Sequence, residues 1–156
     1  MEESSLKIAL YQPDIPQNLG AMIRLCACMG AGLDIIEPCG FIWDERKIRQ
    51  SAMDYFDALP LSRHTSWDAF FDHYQGQGRI ILMTTKADRP YTEFSFQTGD
   101  ILLAGRESAG VPEDIHNQAF ARIGIPMQNG LRSLNIVNAT SMILGEALRQ
   151  TQWQPS

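Results

Sequence analysis

Apolar residues along this chain fall into short runs separated by longer segments with helical spacing. Lys7–Tyr11, Leu33–Ile36, Arg79–Thr84, Asp100–Ala104 and Arg122–Ile125 are each rich in Ile, Leu or other apolar residues. Short runs of that kind are characteristic of strands buried on both faces. Between them the pattern predicts a helix capped by Asn18 and stopped by Gly30, another from Trp67 to Tyr74 capped by Ser66, and a short one from Pro112 to Gln118. A last helix, Leu134 to Arg149, carries Leu134, Val137, Ser141, Leu144 and Leu148 on one stripe, widened by Ile136, Ile143 and Ala147. Strands alternating with helices point to an α/β fold with a largely parallel sheet. The breadth of the last stripe predicts a surface shared with a second copy, hence a homodimer. Asp88–Thr98 is the one extended stretch without clear periodicity, a candidate mobile loop.

Length and composition narrow the class. A chain of 156 residues suits one domain. The start, Met1-Glu2-Glu3-Ser4-Ser5, has neither the basic nor the apolar region of a secretion signal, and no apolar run reaches membrane-spanning length, so a soluble cytoplasmic protein with no membrane partner is expected. Cys26, Cys28 and Cys39 lack the paired spacing of a zinc site and are odd in number for a disulfide framework; buried thiols and no metal are expected. A net charge of −5 argues against coating nucleic acid by bulk electrostatics, yet leaves room for a local basic face. Arg46, Lys47 and Arg49 cluster in one segment, and Arg24, Arg63, Lys86, Arg89 and Arg132 fall in or beside loops; either a solvated surface or phosphate contacts would account for them.

Three stretches carry candidate chemistry. Pro16-Gln17-Asn18-Leu19-Gly20-Ala21-Met22-Ile23-Arg24 follows the first strand, Leu103-Ala104-Gly105-Arg106-Glu107-Ser108-Ala109-Gly110-Val111-Pro112 ends a later one, and Ile125-Pro126-Met127 leads to Arg132-Ser133-Leu134-Asn135-Ile136-Val137-Asn138. Each sets small or polar residues where a strand stops or a helix begins, leaving backbone groups unpaired for a ligand. Gly105 would let a flat ligand lie against the backbone. Ser133 or Asn135 could cap the last helix, bind a ligand, or both. Arg24 between apolar neighbours could face a substrate or form a surface ion pair. No Lys-Ser or Lys-Thr follows Gly110, no dinucleotide fingerprint follows the first strand, and no G-x-S-x-G elbow is present. Nucleoside triphosphate hydrolysis, dinucleotide redox chemistry and the common hydrolase design therefore have no support.

Taken in order, P-x-N-x-G-x-x-x-R-L-C, I-I-E-P-x-G-F, G-x-E-x-x-G-V-P and I-P-M with R-S-L-N-x-x-N-A resemble the SPOUT class of RNA 2'-O-ribose methyltransferases. The nearest likeness is to the small single-domain tRNA enzymes acting on the wobble nucleotide, cytidine or modified uridine, and it spans Lys7 to Arg149. The resemblance implies an α/β parallel-sheet fold with a C-terminal deep trefoil knot, knotted over about 79–150, a homodimer through the last helix, and S-adenosylmethionine as cofactor. It places the cofactor on Met83, Thr84, Thr85, Gly105, Glu107, Ile125, Ser133 and Leu134. Arg24 and Asn135 fall at catalytic positions, while Asn18, Arg46, Arg49 and Arg132, with Lys47 and Arg63, fall toward the tRNA anticodon stem-loop. Ala21 stands where many relatives have Asn. A guanidinium donates hydrogen bonds and accepts none, so Arg24 is expected to orient the hydroxyl and stabilise developing alkoxide. A non-catalytic tRNA-binding relative, or an enzyme acting on another tRNA or rRNA site, would share these motifs.

Overall fold

The computed structural model describes residues 6–131 and 134–151. Among them seven strands form one parallel sheet: β1 (Lys7–Tyr11), β2 (Gly32–Ile36), β3 (Leu61–His64), β4 (Ile80–Met83), β5 (Arg89–Pro90), β6 (Ile101–Ala104) and β7 (Ala121–Gly124). Their order across the sheet is β3-β2-β1-β6-β4-β7-β5, every neighbouring pair parallel. The helices are α1 (Pro16–Met29), α2 (Glu45–Ala52), α3 (Trp67–Tyr74), α4 (Glu113–Gln118) and α5 (Ile136–Thr151), with single 3-10 segments at Met53–Ala58 and Tyr91–Glu93.

The period of two along each strand sorts its side chains between two cores. Ile8, Leu10, Leu33, Ile35, Ile81, Leu102 and Ile123 meet α1, α2 and α5 through Leu19, Met22, Ile23, Ile48, Ile143, Leu144 and Leu148. Ala9, Tyr11, Ile36, Ile80, Leu82, Ile101 and Leu103 face the opposite way, against Trp67, Phe70 and Tyr74 of α3 and Ile115 of α4. A sheet covered on both faces explains why its strands read as continuous apolar runs. Asp34, buried in β2 on the α3 side, is balanced by donors: Tyr74 Oη gives it a hydrogen bond of 2.5 Å, and His64 Nε2 lies 2.7 Å from the same oxygen.

Several sequence expectations shift. α1 begins at Pro16, whose fixed φ suits a first turn, so Asn18 lies inside that turn and its side chain is turned elsewhere. Gly30 does end α1, in the left-handed conformation at φ 75°. α5 begins at Ile136, with Asn135 Oδ1 accepting from the N–H groups of Val137 and Asn138 at 2.8 and 3.3 Å. Its buried face is Thr140, Ile143, Leu144, Ala147 and Leu148, while Leu134 precedes the helix and Ser141 is exposed. β3 and α2 were not foreseen, β3 because Leu-Ser-Arg-His carries one strong apolar residue, α2 because Glu45–Ala52 buries only Ile48 and Ala52. Asp44, which caps α2 by accepting from the N–H groups of Arg46 and Lys47, was the signal available.

The expected mobile loop at Asp88–Thr98 is packed. Phe94 and Phe96 are buried in the core, Gln150 bridges Phe94 O and Phe96 N at 3.0 and 2.8 Å, and Arg79 donates to Ser95 O and clasps Asp100 through two nitrogens. Of the cysteines, Cys26 is buried, Cys39 half-buried and Cys28 exposed, so only Cys26 is the buried thiol expected of all three.

Candidate active site

Parallel strands all end at the same edge of the sheet, where unpaired backbone groups gather. At that edge β4 runs into Thr84 and Thr85, β6 into the loop 105–112, and β7 into Ile125 and Met127. These segments and the Ile136, Ala139 and Ile143 face of α5 enclose a cavity of about 630 Å³. That volume suits a compact ligand held by both apolar and polar walls.

Two glycines let the loops stack this tightly. A Cβ on Gly105 would lie 2.7 Å from Gly110 C and 2.8 Å from its Cα, because Arg106 and Gly110 close a tight turn through paired backbone hydrogen bonds of 3.0 and 2.9 Å. A Cβ on Gly124 would lie 2.8 Å from Thr84 O. The packing of its own loop thus already requires glycine at 105, which also lines the cavity.

One wall of the cavity is a polar chain. Asn135 Nδ2 donates to Asn18 Oδ1 at 3.3 Å, and Asn18 Nδ2 donates to Glu107 Oε2 at 3.1 Å. The N–H of Asp14 donates to Glu107 Oε1 at 3.2 Å, and Ser108 Oγ donates to Asp14 Oδ2. Burial pushes the Glu107 carboxyl above the usual glutamate range, with the neighbouring Asp14 adding to the effect. Asp14 is held below its usual range, chiefly by a hydrogen bond with Glu107.

Met83, Thr84, Thr85, Gly105, Glu107, Ile125, Leu134, Asn135 and Asn18 thus line one cavity, although the sequence scatters them over 118 positions from 18 to 135. Arg132 and Ser133 lie outside the described residues. Arg24 does not reach the cavity lining: its guanidinium stands 5.5 Å over the Tyr55 ring, with Nη1 3.5 Å from Met53 Sδ. Within one chain it therefore faces the Met53–Ala58 segment. Arg49, on α2, is paired with Glu45 at 2.9 Å and Asp57 at 2.7 Å. Arg46 and Lys47 are exposed on the first turn of α2. Sequence reasoning missed Asp14, Ile15, Ala139 and Ile143. The available signal for Asp14 and Ile15 was their place just past the first strand, and for Ala139 and Ile143 the spacing of Ile136, Ala139 and Ile143 on one helical face.

Among the described residues no helix is long and apolar enough to cross a membrane. Comparison with known proteins accords with the cavity. A protein of Beijerinckia indica named tRNA (cytidine(34)-2'-O)-methyltransferase is 56% identical over 144 residues, covering 92% of this chain and 90% of its own. One of the same name from Escherichia coli K12 is 42% identical, covering 93% of each chain. A solved structure described as giving structural insights into the 2-OH methylation of C/U34 on tRNA superposes with a TM-score of 0.89 at 36% identity, over 94% of this chain and 95% of that one. The SpoU methyltransferase AviRb from Streptomyces viridochromogenes, solved in complex with the cofactor AdoMet, superposes with a TM-score of 0.86 at 27% identity, over 96% of this chain and 62% of that one. The sequence pattern of the SpoU rRNA Methylase family matches residues 5–145, taking in every cavity-lining segment. With that match and those relatives, this chain belongs to the SpoU methylase family.

Proposed function

We propose that this protein methylates the ribose 2'-hydroxyl of the wobble nucleotide, position 34, of a tRNA, with S-adenosylmethionine as methyl donor. The observation that carries the reading is the meeting of all three motif stretches in one cavity, in a chain 56% identical to a protein named for that reaction. The residues present fit the cofactor. Glycine-dependent close stacking at 105 and 124 exposes strand-end backbone groups suited to polar edges, and Leu82, Ile125 and Ile143 supply apolar surface for an adenine ring. When bound, the cofactor supplies a methyl group activated by a sulfonium.

The chain's own contribution is alignment. In-line displacement gains most from holding oxygen, methyl carbon and sulfur in line. Asn18, Glu107 and Asn135, tied to one another, are a preorganised polar wall for the ribose, and Asn135 is further fixed as the cap of α5. Arg24 in this reading holds RNA backbone beside the cavity. Arg46 and Lys47 extend that surface; Arg63, paired with Glu37, stacks 4.1 Å over the Trp43 ring, an arrangement suited to unstacked bases. Ile42 on the same loop is 91% exposed.

The reading also includes a homodimer through α5, whose outward residues Asn138, Ser141, Met142 and Gly145 leave room for a second helix, Gly145 having nothing near its missing Cβ. It includes a single domain over 1–156 and the threading of the C-terminal segment through the loop before β6, supported by the contact of Gln150 with Phe94 and Phe96. Action on tRNA implies a cytoplasmic site.

The test is methyl incorporation from labelled S-adenosylmethionine into total tRNA lacking wobble 2'-O-methyl groups, with the product nucleoside located by mass spectrometry. A 2'-O-methyl group at position 34 is expected. Cofactor binding without transfer, or methyl groups at another site, would overturn the assignment.

A further inference from the structure

Methylation of a hydroxyl releases a proton, and Arg24 offers only donors. Two carboxyls meet at the cavity edge instead: Glu107 lines the cavity, and Asp14 adjoins it from outside the lining. Asp14 and Glu107 are 93 positions apart, but β1 and β6 are neighbours with Leu10 opposite Ala104, so the loops leaving the two strands touch. Each Glu107 oxygen accepts one hydrogen bond from the surrounding protein, from Asp14 N–H and from Asn18 Nδ2, and Asp14 Oδ2 accepts from Ser108. Asp14 Oδ1 is buried with no hydrogen-bond partner among the described residues. A buried acceptor without a donor is costly, and so are two ionised carboxylates in contact. One proton held between the two groups relieves both costs, as in carboxyl pairs that share a proton.

Resting on the methyl transfer proposed above, we infer that Asp14 and Glu107 work as one proton-sharing pair, in which Glu107 takes the proton of the ribose hydroxyl and Asp14 is its positioning residue. As the hydroxyl oxygen bonds the methyl carbon, the carbon–sulfur bond breaks with its electron pair left on sulfur, and the O–H proton passes to a Glu107 oxygen. The pair goes from two negative charges to one while the sulfonium charge is lost, so charge balances; the proton then leaves to solvent. The anion of Asp14 behind Glu107 makes Glu107 a stronger base than a lone glutamate. The other groups around the pair leave the charge to these two. Asn18 and Ser108 are neutral, and Asn135 reaches Glu107 only through Asn18. Arg106 turns its guanidinium toward Gly110 O and the Tyr11 ring. Gly40, packed against Asp14 from the loop after β2, follows Cys39, whose thiol is pushed up to about 11 by burial and stays neutral.

The working form is the doubly charged pair, so activity rises with pH. In single-turnover methylation of tRNA the rate is expected to climb about tenfold per pH unit below a midpoint and then level off. Asp14→Asn removes the adjacent anion and moves that midpoint down by about one unit or more. Glu107→Gln abolishes the pH-dependent limb and slows transfer about 100-fold or more. A second readout needs neither cofactor nor RNA: carbon-13 NMR titration of the Glu107 carboxyl, assigned by its loss in Glu107→Gln, with a midpoint above the ordinary glutamate value that falls in Asp14→Asn. A rate profile unmoved by Asp14→Asn overturns the pair. If Asp14→Asn does not fold, the wild-type titration decides alone, and a Glu107 midpoint at or below the ordinary value overturns it. Wild-type protein that methylates no wobble ribose at any pH strikes the proposed function instead, and the titration still judges the pair.

Discussion

Gly105 and the three cysteines show how far a single position can be read from its neighbours. A Cβ at Gly105 strikes backbone atoms of Gly110 and Val111. Backbone cannot rotate away as a side chain can, so Gly105→Ala is expected to displace the whole 105–111 loop. Calorimetry should show S-adenosylmethionine affinity weakened tenfold or more, together with a lower melting temperature; a wild-type value for both would mean that the loop opens without cost. The thiols separate by burial. Cys26 is pushed up to about 12 by burial alone, Cys39 to about 11 by burial and then Glu37, and Cys28 is exposed. Since the thiolate is the reactive form, a thiol reagent at neutral pH should label Cys28 first, Cys39 slowly, and Cys26 only on unfolding. Peptide mapping of the labelled protein checks the order.

At the level of elements, the motif glycine at position 20 is explained by contact between helices. A Cβ there would sit 2.1 Å from Ser51 Oγ and 3.0 Å from Ser51 C, so α1 and α2 cross with no room for a methyl group. Gly20→Ala should cost about 1–3 kcal/mol in urea unfolding. The Tyr91–Gln97 segment hangs on Gln150 and Arg79, and Gln150→Ala should speed amide exchange there well before it affects β1 or β2. How well the elements could be foreseen followed from how they are stabilised. β1 and α3 were placed at their observed bounds because buried apolar runs and a serine cap are local signals. α2 and β3 went unseen because what holds them is tertiary: two buried residues on a charged helix, and strand pairing with β2. The 88–98 segment lacked periodicity because its order comes from residues 79, 100 and 150.

For the whole molecule, the parallel sheet explains why so much of the candidate site could be named in advance. Every strand ends at one edge, so motifs at strand ends necessarily converge, and nine of the foreseen residues share the cavity. Arg24, on another face of α1, could not be placed by spacing because its surroundings depend on the Met53–Ala58 segment. Association is expected to use the outer face of α5. Met142→Glu, a change at a residue 43% exposed, should shift the protein toward monomer in light scattering while leaving its circular dichroism unchanged. α5 itself has a divided circumference: Ile143 belongs both to the buried core and to the cavity lining, while Met142 and Gly145 look outward. The inner end of a bound molecule and the outer surface of the protomer are thus two sides of one rigid rod. A slight roll of that rod, set by whatever packs outside, would be felt inside as a change in the width of the chamber.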